Sequence, residues 1–188
     1  MEVKLKFITP DAENFIGSMA GICYGSDTEN YEKNVKRAAK CADDGHLATL
    51  RFAHAVFHIS GISRVCSHQL VRSKHLDFLQ RSQRYCSESD AKFVYPGTDL
   101  DTKISGLYQV AHRVYKDLLE AGVKKEDARF VLPEGTQTEV VVVGNLQGWL
   151  DFIKLRADKH AQLEIRNLAK TINNILNEHC PNIFKWMA

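Results

Sequence analysis

The stretch "HQLVRSKHLDFLQRSQRY" (68–85) interleaves Arg72, Lys74, Arg81 and Arg84 with His68, His75, Ser73, Ser82 and Tyr85. Guanidinium forks grip phosphate oxygens in bidentate fashion, an ammonium adds a point charge, and hydroxyl and backbone N–H groups complete an anion cradle. The 188-residue chain has a formal net charge of only +2, so this positive charge is a local concentration. That fits a small anionic partner better than a nucleic acid, which selects for a wide basic excess. A charge run is ordinarily a solvated face. Here Ser, Gln and Tyr stand between the arginines, which favours the anion reading. On a helix from about residue 62, Arg64, His68 and Arg72 share a face at i, i+4 and i+8. Like charges so spaced repel by a few tenths of a kcal/mol per pair, and a bound anion compensates. Beyond Lys74 the helical period fails, and Gln80, Arg81, Ser82, Gln83, Arg84 and Tyr85 read as a turn where N–H groups and a hydroxyl converge on phosphate.

Other chemistry-bearing residues carry less. His54 and His58 lie four apart in a strand pattern. At about 3.3 Å per residue that is roughly 13 Å, too far to share one ion, and no metal site is expected. Cys23, Cys41, Cys66, Cys86 and Cys180 are odd in number and contain no CxxC pair, which argues against a disulfide framework and for reduced thiols. Cys66 and Cys86 have basic neighbours, yet a packed thiol is the more ordinary role.

The elements that must position these residues follow an α+β pattern. Val3, Leu5 and Phe7 alternate with charged residues, as do Ala55, Phe57 and Ile59 with His54 and His58, giving two half-buried strands. "TEVVVVG" (138–144) reads as a strand buried on both faces. Helical periods mark 12–21, 30–44, 107–121 and 160–179. Residues 86–104 read as a loop too short to link two domains, so one domain over 1–188 is expected. No GxGxxG or GKS/T stands between a strand and a helix, which removes the main support for a dinucleotide fold. The N-terminus has no apolar leader and no run approaches the roughly 18 apolar residues of a membrane span, so a cytoplasmic protein without a membrane partner is expected.

Taken in order, "ISRVCSHQLVR", Lys74, seven residues, Ser82 and "QRY" resemble the signature of the flavin-dependent thymidylate synthases, Arg-His-Arg, seven residues, Ser. "MEVKLKFITPDAEN", "CYGS", "EDARFVLPEGTQTEVVVVGN", "FIKLRADKHAQLEIRNLAK" and "CPNIF" extend the resemblance over nearly the whole chain. It implies that family's fold, with a mixed sheet and flanking helices, in a homotetramer with active sites between subunits. It further implies transfer of a methylene from methylenetetrahydrofolate to C5 of dUMP, with reduced FAD and NADPH. By position, Gln69, Arg72, Gln80, Arg81, Ser82, Arg84, Arg129 and Arg156 correspond to dUMP contacts, with Arg156 and Ser82 catalytic. Arg72, Ser73, Lys74, Asn145, Gln147, Asp151 and His160 correspond to the flavin side.

The departures cluster on that flavin side. Arg72-Ser73-Lys74 stands for Arg-His-Arg, "HLATLRF" for His-Glu-Ser-x-x-Glu-His, and Gln147 for the arginine of Asn-Ala-Arg. Losing buried hydrogen bonds of this kind costs about 1 to 3 kcal/mol each, so FAD is expected to be held less tightly. A carboxylate at Asp151 within reach of the base would prefer cytosine's amino group, which makes dCMP the alternative nucleotide. Hydroxymethylation and a catalytically silent nucleotide-binding homologue are the other readings within the family. Outside it stands an RNA-binding module on the 64–84 face. Only Phe78 and Tyr85 would offer stacking platforms there, which weighs against it.

Overall fold

The computed structural model describes residues 1–99 and 101–185. Four strands form its sheet, β1 (Glu2–Ile8), β2 (His54–Ser63), β3 (Leu76–Gln80) and β4 (Gln137–Asn145), in the order β1-β2-β4-β3. Every pairing is antiparallel, a correction to the mixed sheet expected above. A parallel neighbour requires a crossover that returns the chain to the same end of the sheet. Here α1 (Ala12–Ile22) and α2 (Tyr31–Asp43) instead deliver β2 antiparallel to β1.

Strand periodicity decides which face is dry. On β2, Ala55, Phe57, Ile59 and Ile62 are buried, and on β4, Thr138, Val140, Val142 and Gly144, while the residues between them are partly exposed. β4 is therefore half-buried, not covered on both faces. Its run of valines reflects β propensity on the outer side, where Val141 and Val143 sit. The register shifts between Ser60 and Ile62, with Gly61 at φ 70°, a value open to glycine without steric cost. That bulge returns Ile62 to the inner face after the alternation is broken.

Two helices cover the inner face. α6 (Leu146–Arg156) buries Leu146, Trp149, Phe152 and Ile153, and α7 (Leu163–His179) buries Ile165, Leu168, Ala169, Ile172 and Leu176. Trp149 packs edge-on to Phe57 with ring centroids 5.0 Å apart, and its indole N–H donates to the Ala55 carbonyl at 3.1 Å. Glu13 of α1 ties in the chain end by accepting from the backbone and side chain of Asn182, both at 2.7 Å.

Several boundaries differ from the sequence reading. α4 begins at Asp101 and runs to Glu120, and only Tyr115 of it is buried. α7 begins at Leu163, because the Gln162 side chain caps it by accepting from Glu164 and Ile165 N–H groups. α3 is short, Arg64–Leu70, so Arg72 lies beyond the helix and does not extend the Arg64–His68 face. α5 (Lys125–Ala128) and 3₁₀ turns at Leu47–Phe52 and Arg129–Val131 complete the chain.

α1 and α2 meet at Gly17, where an added Cβ would lie 1.9 Å from the Asn34 carbonyl oxygen. Gly17→Ala is expected to destabilise the fold by about 2 to 3 kcal/mol through overpacking, read as a lower denaturant midpoint at unchanged slope.

Candidate active site

The chain between α3 and β3 is pinned at both ends by core residues, Leu70 and Leu76. His75 reverses its direction at φ 65°, and the segment presses onto the start of α6. Gly144 and Gly148 permit this approach. A Cβ on Gly148 would come within 2.7 Å of the His75 carbonyl oxygen, and one on Gly144 within 2.2 Å of the Leu76 side chain. The result is a cavity of about 250 Å³ lined by Arg72, Ser73, Lys74 and His75 on one side and Asp151, Phe152 and Leu155 of α6 on the other. The Ser73 hydroxyl oxygen is buried with no hydrogen-bond partner among the described residues. An unsatisfied buried hydroxyl is costly, and it is the Arg72 and Lys74 charges in the lining that favour a polar, anionic occupant.

One turn before Asp151, the Gln147 side-chain oxygen accepts from Arg51 Nε at 2.6 Å. Asn145 is the N-cap of α6, its side-chain oxygen accepting from the Gly148 N–H at 2.9 Å. His160 lies apart, on the exposed turn between α6 and α7, with its Nδ1 2.8 Å from Asp158.

At the far end of α6, Arg156 donates from Nη2 to the Gln69 carbonyl at 3.1 Å, while its Nε is buried and without a partner among the described residues. Beneath it the fully buried Cys66 thiol is pushed up to about 12, first by burial and then by the Glu164 carboxylate, with Arg156 pulling the other way. Cys66 is thus a core residue and no nucleophile. Glu164 is itself engaged, accepting from the Ser63 N–H at 2.8 Å and the Ser63 hydroxyl at 2.5 Å.

A second cavity, about 280 Å³, gathers Arg64 and His68 of α3 with Gln83, Arg129, Phe130 and Glu134. Burial lowers the Arg64 guanidinium from its ordinary range, Glu134 and Glu88 oppose this, and Arg129 adds repulsion. Arg84 and Arg129 meet at one residue: Arg84 Nε pairs with the Glu126 carboxylate, and Arg129 Nε donates to the Glu126 carbonyl at 3.0 Å. The Ser82 hydroxyl accepts from the Arg84 N–H at 3.2 Å and braces the turn.

The sequence-predicted residues thus fall into groups. Arg72, Ser73, Lys74 and Asp151 share one cavity, Gln69 and Arg156 are bonded, Arg84 and Arg129 meet at Glu126, and Ser82 accepts from the Arg84 N–H. Gln80 ends β3 instead of lying in a turn. Its amide donates to Ser67 at 2.8 Å and Thr138 at 3.3 Å. Arg81 faces Glu88 and Glu139. Gln147, Asn145 and His160 bond outside the first cavity's lining. Arg64 was legible as part of a basic face but not as a partner of Arg129, since the two are far apart in sequence.

The sequence matches, over residues 4–182, the model of a family described as "Thymidylate synthase complementing protein". The chain belongs to this family. It is 38% identical over 166 residues to a flavin-dependent thymidylate synthase of Mycobacterium sp. (strain KMS), covering 76% of this chain and 65% of that protein. A flavin-dependent thymidylate synthase of Mycobacterium avium (strain 104) is 35% identical over 185 residues, covering 86% and 74%. The chain therefore spans just under two thirds of the first of these relatives. Family membership accounts for the ordered motifs and leaves each side chain's role to the geometry.

Among the described residues, no cluster of three or more His, Cys, Asp or Glu could hold a metal ion, and no helix is long and apolar enough to cross a membrane. Burial also pushes the Cys180 thiol up to about 12. A thiol-reactive dye at pH 8 is expected to label exposed Cys23 in the folded chain and to reach Cys66 and Cys180 only after unfolding. Stoichiometric labelling of Cys66 in the native protein would show that its surroundings open to solvent.

Proposed function

We propose that this chain transfers a one-carbon unit to C5 of a pyrimidine deoxynucleotide, converting dUMP to dTMP with methylenetetrahydrofolate as donor, NADPH as reductant and FAD as bound flavin. The reading includes the family's fold, residues 1–188 acting as one unit, and assembly as a homotetramer. The observation that carries it is Arg156, held at one edge by the Gln69 carbonyl with a buried Nε donor unspent. A preset cationic donor of this kind suits a pyrimidine carbonyl or ring nitrogen that gains negative charge as C5 becomes nucleophilic. A small shift of the enclosed Arg156 side chain would bring the unspent donor to the base, where the guanidinium stabilises that charge.

Arg64, Arg84 and Arg129 supply charge-assisted donors for the phosphate in this reading, and Arg72 and Arg81 add positive charge from their own cavities. Ser82 orients the nucleotide, where a displacement of about 1 Å can cost about a hundredfold in rate. Gln69 and Gln80 contribute amides beside the sugar and base.

The flavin side fits a polar, anionic group. Arg72, Lys74 and His75 supply donors, and the unpartnered Ser73 hydroxyl is the group such an occupant satisfies. FAD supplies the reducing chemistry when bound. Asp151 and Phe152 bound its space, Asn145 fixes the start of α6, and Gln147 presents Arg51. His160 stands by from the exposed turn. The Arg51–Gln147 bond supports compensation: a guanidinium reaches this face of α6 from the 3₁₀ turn where the family's pattern carries arginine at position 147.

Arg84→Ala and Arg129→Ala are each expected to weaken dUMP binding by about 2 to 3 kcal/mol, one charge-assisted bond lost in each. Calorimetry with unchanged affinity in both would remove the phosphate site, and the same titration with dCMP would retire dUMP if dCMP bound more tightly.

FAD titration into the wild type and into Ser73→His with Lys74→Arg tests the flavin side. Under compensation the wild type binds FAD stoichiometrically and the double variant gains little. Weak FAD with retained dUMP binding would move the reading to altered one-carbon chemistry, such as hydroxymethylation, or to a silent homologue.

A further inference from the structure

Glu88 follows the Arg81–Tyr85 turn and is 4% exposed, though it is a carboxylate. α4 fixes it through the backbone. The Glu88 N–H donates to the Tyr115 hydroxyl at 3.1 Å, and its carbonyl accepts from the His112 ring at 3.1 Å. Tyr115 is fully buried, so this anchor is rigid. The carboxylate accepts from Arg81 Nε at 3.4 Å and attracts Arg64. Arg81 also faces Glu139 at 3.6 Å and donates to the Ser87 carbonyl at 3.3 Å. Glu88 thus lines a cavity of about 360 Å³ with Arg81, while the Arg64 that it attracts lines the cavity shared with Arg129.

The arrangement burdens the fold. Burial is the largest influence and pushes the Glu88 carboxyl above its ordinary range, with Arg81 and Arg64 only partly opposing it and Glu139 adding to it. A group whose pKa is raised by folding contributes stability at low pH that is lost as pH rises through the folded value. Ionising Glu88 is therefore a cost to stability that grows as pH rises. Such a cost, borne between arginines that line two neighbouring cavities, points to a functional return.

We propose that Glu88 is a positioning residue for the nucleotide site, the fixed counter-charge that keeps Arg64 and Arg81 turned inward to meet the phosphate. The inference rests on the function proposed above. Arg64 and Arg129 repel across their cavity, and without Glu88 the long arginine side chains regain rotamer freedom by turning outward. A competing effect has the opposite sign: removing a buried negative charge strengthens the field that attracts an anion. Measurement decides which wins.

Glu88→Gln keeps shape and removes charge. In the full chain it is expected to bind dUMP about tenfold more weakly by calorimetry, and KM for dUMP should rise about tenfold with kcat at saturating nucleotide within about twofold. Its melting temperature at pH 7 should equal or exceed the wild type's. Unchanged or tighter dUMP binding overturns the inference. A lowered melting temperature in step with the lost affinity also overturns it, since Glu88 would then serve the fold alone. A wild type that binds no dUMP overturns the nucleotide reading and this inference with it, whereas failure confined to the variant leaves that reading standing.

Discussion

Burial of one face of β2 and β4 under α6 and α7 is the constraint on which the rest depends. Trp149 fills the space over Phe57 and spends its only donor on the Ala55 carbonyl, so the α6 register cannot slide without losing both packing and a buried hydrogen bond. β4 runs directly into α6, and Asn145 both ends the strand and caps the helix. With that start fixed, Gln147, Asp151 and Arg156 follow at helical spacing along one rigid rod. Gly144 and Gly148 let the 71–75 segment settle against it. The first cavity and Arg156 are thus both positioned by a single core helix.

Electrostatics supplies the second layer. Exposed ion pairs contribute little, so Arg84–Glu126 and Arg81–Glu139 cannot by themselves hold the arginines in place. Backbone acceptors do more, because the Gln69 and Glu126 carbonyls are fixed by the elements that carry them. Each spends part of a guanidinium and leaves the remaining donors for another partner. Arginine suits this division better than lysine, since its fork holds one geometry while serving two acceptors.

The fold was legible where periodicity was strong. β1, β2, α1, α2 and α7 follow directly from alternation or from the 3.6-residue period, whereas β4 was found from its β-branched run and its alternating burial was not. β3 was hidden because "LDFLQ" sits inside a basic segment whose charge suggested a turn, and the ladder to β4 between Leu76 and Gly144 is a long-range fact. α6 was hidden because Gly148 and Trp149 interrupt a simple amphipathic pattern, and they are there for close approach and core filling. At the site, residue types and order pointed to a basic, hydroxyl-rich centre. Which residues meet was not legible: Arg64 and Arg129 lining one cavity, and the Arg51–Gln147 and Arg81–Glu88 pairs, depend on how loops return.

The departures from the family's pattern illustrate why a lost motif residue and a lost interaction differ. At positions 51 and 147 the family's pattern places a glutamate and an arginine, and this chain has an arginine and a glutamine joined by a 2.6 Å hydrogen bond. In this chain that bond links the 3₁₀ turn to α6 and braces the helix at Gln147. Ser73 is a different case. A small hydroxyl in place of a histidine leaves its oxygen buried and unpaired beside Arg72 and Lys74. An unpaired buried hydroxyl is costly, and where the neighbouring cations offer only donors Ser73 can supply both a donor and an acceptor. The erosion at this motif therefore changes the pattern of hydrogen bonds the cavity presents while keeping its positive charge.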